Sequence, residues 1–186
     1  FRGTEDSNCL LAGFNINGYV RGNDGSLEPP IAAHTRATIS RCVFQENGGA
    51  CGTVLQFCDG LIINCLFADN NYMNCAGLHP VIDGCHGLIK NCTIANSRDR
   101  LGIRVLDGTT TIENCILYND GITLGAGAIV NVSYTRWEPP VRVQGSPSEL
   151  NLGPGNIEAD PCFADTIRGD YHLKSRTGRW DPDKGS

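Results

Sequence analysis

Lysine is nearly missing from this chain, with three in 186 residues against twelve arginines, and no stretch concentrates the basic residues. With a net charge of −5, that excludes the basic stripe a phosphate backbone requires, and with it nucleic acid as a partner. No apolar run approaches the ~20 residues of a membrane-spanning helix. No segment holds apolar residues at helical spacing for three turns, so long amphipathic helices are excluded as well. There is no C-x-x-C pair and no H-E-x-x-H. Zinc-knuckle and metalloprotease readings therefore have no motif to stand on. Aromatic residues are only 7%, whereas glycine (23) and cysteine (10) are plentiful. That profile suits many short β-runs punctuated by turns.

The cysteines recur in a pattern. I-S-R-C-V-F-Q-E-N ends at Asn47, I-I-N-C-L-F-A-D-N at Asn70, I-K-N-C-T-I-A-N-S at Ser97 and I-E-N-C-I-L-Y-N-D at Asp120. Their cysteines are Cys42, Cys65, Cys92 and Cys115, at intervals of 65 − 42 = 23, 92 − 65 = 27 and 115 − 92 = 23. A period in the low twenties without a helical pattern indicates a solenoid whose repeat is one β-coil. The agreement extends upstream, since Cys58-Asp59-Gly60-Leu61-Ile62 matches Cys85-His86-Gly87-Leu88-Ile89. Phe14 and Val132 are expected in the cysteine slot of an earlier and a later copy. The inward stack is then Phe14, Cys42, Cys65, Cys92, Cys115 and Val132. Two residues on, Ile16, Phe44, Phe67, Ile94 and Leu117 also point inward. A free cysteine packs there as a small hydrophobe, so Cys92→Ser is expected to cost about 1–3 kcal/mol.

The fold class is all-β, a right-handed parallel β-helix of about five to six coils, handedness following the crossover preference of parallel strands. Residues 1–186 form a single domain, expected to belong to a longer protein because both ends fall inside the pattern. Insertions are expected near 18–33 and 134–155, where Pro29-Pro30, Pro139-Pro140 and Gly153-Pro154-Gly155 read as loop. The remaining coils are placed at 1–17, 36–133 and 156–175. Asn64, Asn91 and Asn114 precede the slot cysteines and suit left-handed corners. Their amides can bond coil to coil, with breaks at Arg41 and Gly13.

These repeats resemble those of the pectate-lyase-like superfamily of parallel β-helix proteins. Gly155 to Asp165, followed by Gly169 to Ser175, is similar to a C-terminal motif of large secreted β-helix proteins from bacteria. The resemblance implies export and a secreted or cell-surface location. It leaves activity open, because the superfamily holds lyases, hydrolases, adhesins and scaffolds.

Several residues are candidates for chemistry. Asp59, Asp83 and Asp107 recur at intervals of 24. If stacked, they can hold calcium, which takes several oxygen ligands. Lyases of this superfamily pair calcium with a basic residue, for which Arg98, Arg100 and Arg104 are available. The competing reading is turn chemistry repeated with the coil. Asp59 and Asp107 precede glycine alike, while Asp83-Gly84 is offset. Tyr134 and Trp137 are candidates for stacking on a sugar ring. Cys51 and Cys75 are the candidate disulfide, since stacked equivalents lie about 4.8 Å apart, inside the ~4.4–6.8 Å Cα range of such a bond. Asn91 and Asn131 head N-glycosylation triplets.

Three functions stay open. The first is a non-catalytic scaffold that stacks on further coils or on its own copies. The second is a calcium-dependent polysaccharide lyase or related enzyme, and the third a carbohydrate-binding or adhesive module. End-to-end docking is expected around Phe163 and Tyr171.

Overall fold

The computed structural model describes residues 3–18, 30–48, 53–70, 80–97, 100–138 and 141–174. The chain winds into a parallel β-solenoid of about five turns with three sheets along its flanks. Sheet one takes β1 (Leu10–Ala12), β4 (Thr38–Ser40), β7 (Ile62–Ile63), β10 (Gly87–Lys90), β13 (Gly108–Glu113), β16 (Ala128–Ser133) and β18 (Glu149–Leu152). Sheet two takes β2 (Asn15–Asn17), β5 (Val43–Gln45), β8 (Leu66–Ala68), β11 (Thr93–Ala95) and β14 (Ile116–Tyr118). Sheet three takes β3 (Ala32–Ala33), β6 (Leu55–Gln56), β9 (Ile82–Asp83), β12 (Leu101–Val105), β15 (Gly121–Leu124) and β17 (Arg142–Val143).

Strands this short persist because each is paired with a strand of a neighbouring turn, and the inner ones with strands on both sides. Their alternate residues stack into inward columns. Sheet one contributes Ile39, Ile62, Ile89, Ile112 and Val132 in register. Sheet two contributes Phe44, Phe67, Ile94 and Leu117, with the Phe44 and Phe67 rings stacked 5.0 Å apart. All of these are buried.

Between sheets one and two the chain turns through one left-handed residue per turn: Arg41, Asn64, Asn91, Asn114 and Tyr134, with φ of 49–57°. The amides of Asn64, Asn91 and Asn114 form the expected ladder. Asn91 Nδ2 donates to Asn64 Oδ1 at 3.1 Å and Asn114 Nδ2 to Asn91 Oδ1 at 2.8 Å.

The cysteine column lies just past this corner and does more than fill space. The backbone N–H of Cys65 donates to Cys92 Sγ at 3.5 Å, and that of Cys92 to Cys115 Sγ at 3.4 Å. Each thiol donates to the carbonyl two residues before it, as Cys92 does to Lys90 at 3.2 Å. In the following turn Thr135 Oγ1 accepts the Cys115 N–H, and in the next Asn156 Oδ1 accepts that of Thr135. The slot therefore continues as Thr135, not Val132. Val132 sits three residues earlier, opposite Ile112 in sheet one, because this turn is short (135 − 115 = 20). Phe14 lies opposite Cys42 by register, yet it is exposed. The slot is sized for a thiol, and among the described residues this turn has a strand neighbour on one side, so the ring turns out.

The expected boundaries also shift. Ala32–Ala33 is already strand. Residues 134–155 hold another turn, with Arg136 bridging Ile116, followed by β17 and β18. Its described prolines, Pro147 and Pro154, lie in a bend and a turn outside the strands, where a missing N–H is tolerated, and Pro139-Pro140 falls outside the described residues. After Ile157 the chain leaves the stack. β19 (Phe163–Asp165) and β20 (Asp170–Leu173) form an antiparallel hairpin. Phe163 and Tyr171 are buried with Ala68, Ala95, Leu66, Ile116 and Tyr118 on the outside of sheet two. Tyr171 Oη donates to Asp69 Oδ1 at 2.8 Å and accepts from Asn96 Nδ2 at 2.7 Å. Phe163 and Tyr171 thus belong to a lateral strap, not to a docking face at the end of the stack.

The sulfur geometry reverses the expectation for Cys92. A hydroxyl keeps both of its hydrogen bonds, as Thr135 demonstrates, whereas a methyl group leaves the Cys65 N–H buried without an acceptor. Cys92→Ala is expected to lose about 1–3 kcal/mol more than the transfer of its sulfur alone would cost. Cys92→Ser is expected to be the milder change. Urea unfolding of both variants measures the order.

Candidate functional site

Connections from sheet two to sheet three vary most in length, spanning 17 to 32, 45 to 55, 68 to 82, 95 to 101 and 118 to 121. Variable loops beside a rigid sheet are a common place for function, so the outer face of sheet three is the first candidate. Gln56, Asp83 and Arg104 stack there in register. Asp83 is buried, and the Arg104 guanidinium takes both its oxygens, Nε to Oδ1 at 2.7 Å and Nη2 to Oδ2 at 2.8 Å. Gln56 Nε2 adds a longer bond of 3.4 Å to Oδ2. A carboxylate gripped in this bidentate way has little left for a calcium ion. A guanidinium held by two hydrogen bonds to a carboxylate is committed to that partner.

Asp59 and Asp107 lie elsewhere, in the column just before sheet one. His86 sits between them, Nδ1 3.0 Å from Asp59 Oδ1 and Nε2 3.0 Å from Asp107 Oδ1. The backbone N–H of His86 also donates to Asp59. The structure thus divides the three aspartates into a carboxylate–imidazole–carboxylate column and a separate ion pair. Among the described residues no three His, Cys, Asp or Glu side chains converge as a metal set. The intermediate histidine was readable from the match of Cys58-Asp59-Gly60 with Cys85-His86-Gly87. Arg100 lies beside Asp120, and Arg98 falls outside the described residues.

The second corner, between sheets two and three, holds an unexpected group. After the left-handed residues Glu46, Asp69, Asn96 and Asn119 comes a buried polar column of Asn47, Asn70, Ser97 and Asp120. Asn70 Oδ1 accepts the Asn47 N–H at 3.1 Å, and Asn70 Nδ2 donates to the Phe44 carbonyl at 2.9 Å. Asp120 repeats the first bond, Oδ2 accepting the Ser97 N–H at 3.0 Å. Its Oδ1 is buried without a partner. Burial pushes its carboxyl up to about 6, against the hydrogen bonds from Ser97 and the charge of Arg100.

Trp137 is buried opposite Leu117 and closes the sheet-two core stack, so it offers no face to a sugar. Tyr134 is well exposed. Arg136 between them is buried. Its Nε donates to the Ala159 carbonyl at 2.9 Å, its Nη1 to the Leu117 carbonyl at 2.8 Å and its Nη2 to Glu138. Cys51 and Cys75 fall outside the described residues. The described cysteines, Cys9, Cys42, Cys58, Cys65, Cys85, Cys92, Cys115 and Cys162, are free thiols. Burial pushes the Cys85 thiol well up. Asn91 and Asn131 both serve in amide columns, Asn131 Oδ1 accepting from Asn151 at 3.1 Å.

One protein family, described as Disaggregatase related, matches residues 142–185. That segment comprises β17, β18, Ile157 and the strap. No curated protein and no solved structure matches the chain.

Asp120 gives a pH dependence with a definite sign. Its folded carboxyl is raised above the ~3.9 of an unfolded aspartate, so the folded state holds its proton longer. Below about pH 4 both states are protonated and the group is neutral in effect. As pH rises from about 4 to 6 it removes stability, on the order of 3 kcal/mol when complete. Asp120→Asn abolishes that loss and offers an amide donor like that of Asn70. The variant is expected to be the more stable protein at pH 7.5 and to match the parent near pH 4, as thermal midpoints across this range record.

Proposed function

We propose that the chain is a non-catalytic scaffold of the pectate-lyase-like β-helix kind, secreted or displayed at a cell surface, which stacks end to end on further coils or on its own copies. The observation that carries this reading is the pairing of the acid and base groups on the flanks. Arg104 neutralises Asp83, and His86 ties Asp59 to Asp107 across three turns. Groups committed to one another across coils brace a stack. Each of these five side chains is held by another of the set.

The ends of the stack have the opposite character. Leu10 and Phe14 are exposed at one end, and Val143, Leu152 and Ile157 at the other. Among the described residues the outer edges of the terminal strands β1 and β18 have no strand neighbour, and such edges pair with other chains unless something blocks them. Contact between unlike ends is heterologous and need not close, so it yields filaments. Light scattering against concentration, with negative-stain microscopy, is expected to show linear growth. Leu152→Lys is expected to shorten it by placing a charge on the stacking face. A particle that stays monomeric at high concentration would sink the assembly reading.

One observation favours an enzymatic alternative, the calcium-dependent lyase or a related carbohydrate-active enzyme: the family matched at 142–185 carries an enzyme's name. Depolymerisation of pectate or alginate with calcium, lost on Asp83→Asn, would replace the scaffold reading with it.

A further inference from the structure

A cleft of about 520 Å³ lies where the corner between sheets one and two meets the strap, lined by Asn114, Tyr134, Ile157, Asp160, Pro161 and Leu173 among others. Its volume falls within the roughly 300–1,000 Å³ of small-ligand sites. It is separate from the polar column on sheet three. We infer that this cleft binds a neutral sugar ring.

The chemistry of the walls selects the ligand. Tyr134 occupies a position where three preceding turns carry or continue the asparagine ladder, and its ring lies across Gly155, so close that a Cβ there would sit 2.4 Å from it. A glycine beneath an exposed ring leaves a flat aromatic face backed by chain, which suits the C–H face of a pyranose. Ile157 and Leu173 are exposed apolar neighbours. The amide ladder ends here: Asn114 donates to Asn91, and among the described residues its own Oδ1 meets no donor, the next residue in the column being Tyr134. Asp160 Oδ1 accepts the Cys162 N–H at 2.9 Å, and its other oxygen has no protein partner. With the Tyr134 hydroxyl, which can donate and accept, these acceptors suit a ligand rich in hydroxyl groups.

Charge excludes the other classes. Among the described residues lining the cleft the cation is Arg136, whose Nε, Nη1 and Nη2 are committed to Ala159, Leu117 and Glu138. With Asp160 at the wall, an acidic sugar meets a carboxylate and, among these residues, no uncommitted guanidinium or ammonium group. An organic cation needs several aromatic faces, and the cleft offers one ring. A neutral sugar satisfies the ring, the apolar neighbours and the acceptors together.

The test uses the full chain, titrated by calorimetry and by amide NMR with cellopentaose, mannopentaose and a galactopentaose, and separately with trigalacturonate. At least one neutral oligomer is expected to bind and trigalacturonate not to. Tyr134→Asn is the decisive variant, because asparagine already occupies this left-handed corner at 64, 91 and 114. It is expected to keep the thermal midpoint and weaken binding about tenfold or more by removing the stacking face. Tyr134→Phe is expected to retain most of the affinity, and Gln56→Ala, on sheet three, all of it. Absence of binding by all three neutral oligomers overturns the inference. So does tighter binding of trigalacturonate, or affinity that survives Tyr134→Asn but falls with Gln56→Ala.

Discussion

At each described corner between sheets one and two, and again between sheets two and three, the backbone turns through one left-handed residue. In six of these turns a side chain of the next coil accepts the amide that follows. Cys92 and Cys115 do this with sulfur, Thr135 with a hydroxyl, Asn70 and Asn156 with an amide and Asp120 with a carboxylate. Cys85 does it for Cys58 at the third corner. The residue types differ, yet all offer an acceptor on a short stem. A buried N–H without one costs about as much as a lost hydrogen bond. The rest of the structure depends on this rule. It sets the spacing of the coils and holds the inward columns of Ile, Phe and Leu in register.

The rule also explains how far the sequence could be read. The left-handed asparagines, the cysteine column and the core of Phe44, Phe67, Ile94 and Leu117 were legible because residue type and spacing agreed over four turns. The slot after Cys115 was not. There the turn shortens to 20 residues, and Asn131-Val132-Ser133 imitates the motif while pairing with Thr111, Ile112 and Glu113. Reading cysteine as a hydrophobe does not lead to Thr135, because the acceptor is what the position uses. The proline-rich surroundings of Trp137 suggest a surface aromatic, but its register opposite Leu117 takes it inside.

The candidate sites show a related limit. The offset of Asp83-Gly84 hinted that Asp83 stands apart from Asp59 and Asp107, and the structure places it on another sheet. Its partner Arg104 could not be chosen from spacing over Arg98 and Arg100, because the short-range loop that separates them follows no repeat. The strap had one faint signal. Ala68 and Ala95 are small residues on the outward face of sheet two, where a solvated strand would carry longer polar chains. Small outward residues mark a surface that something else covers.

That covering has a mechanical consequence. A one-dimensional stack can lose turns from its end one at a time, since each turn touches only its neighbours. Here Tyr171 reaches back to Asp69, 102 residues earlier, and to Asn96. Arg136 anchors the segment from which the strap departs. Peeling the last turn means lifting the strap from sheet two, and the strap crosses several turns at once. The hairpin works as a clasp that converts a fraying ladder into a unit that opens together. Pulling forces or proteases at that end would meet the resistance of half the stack.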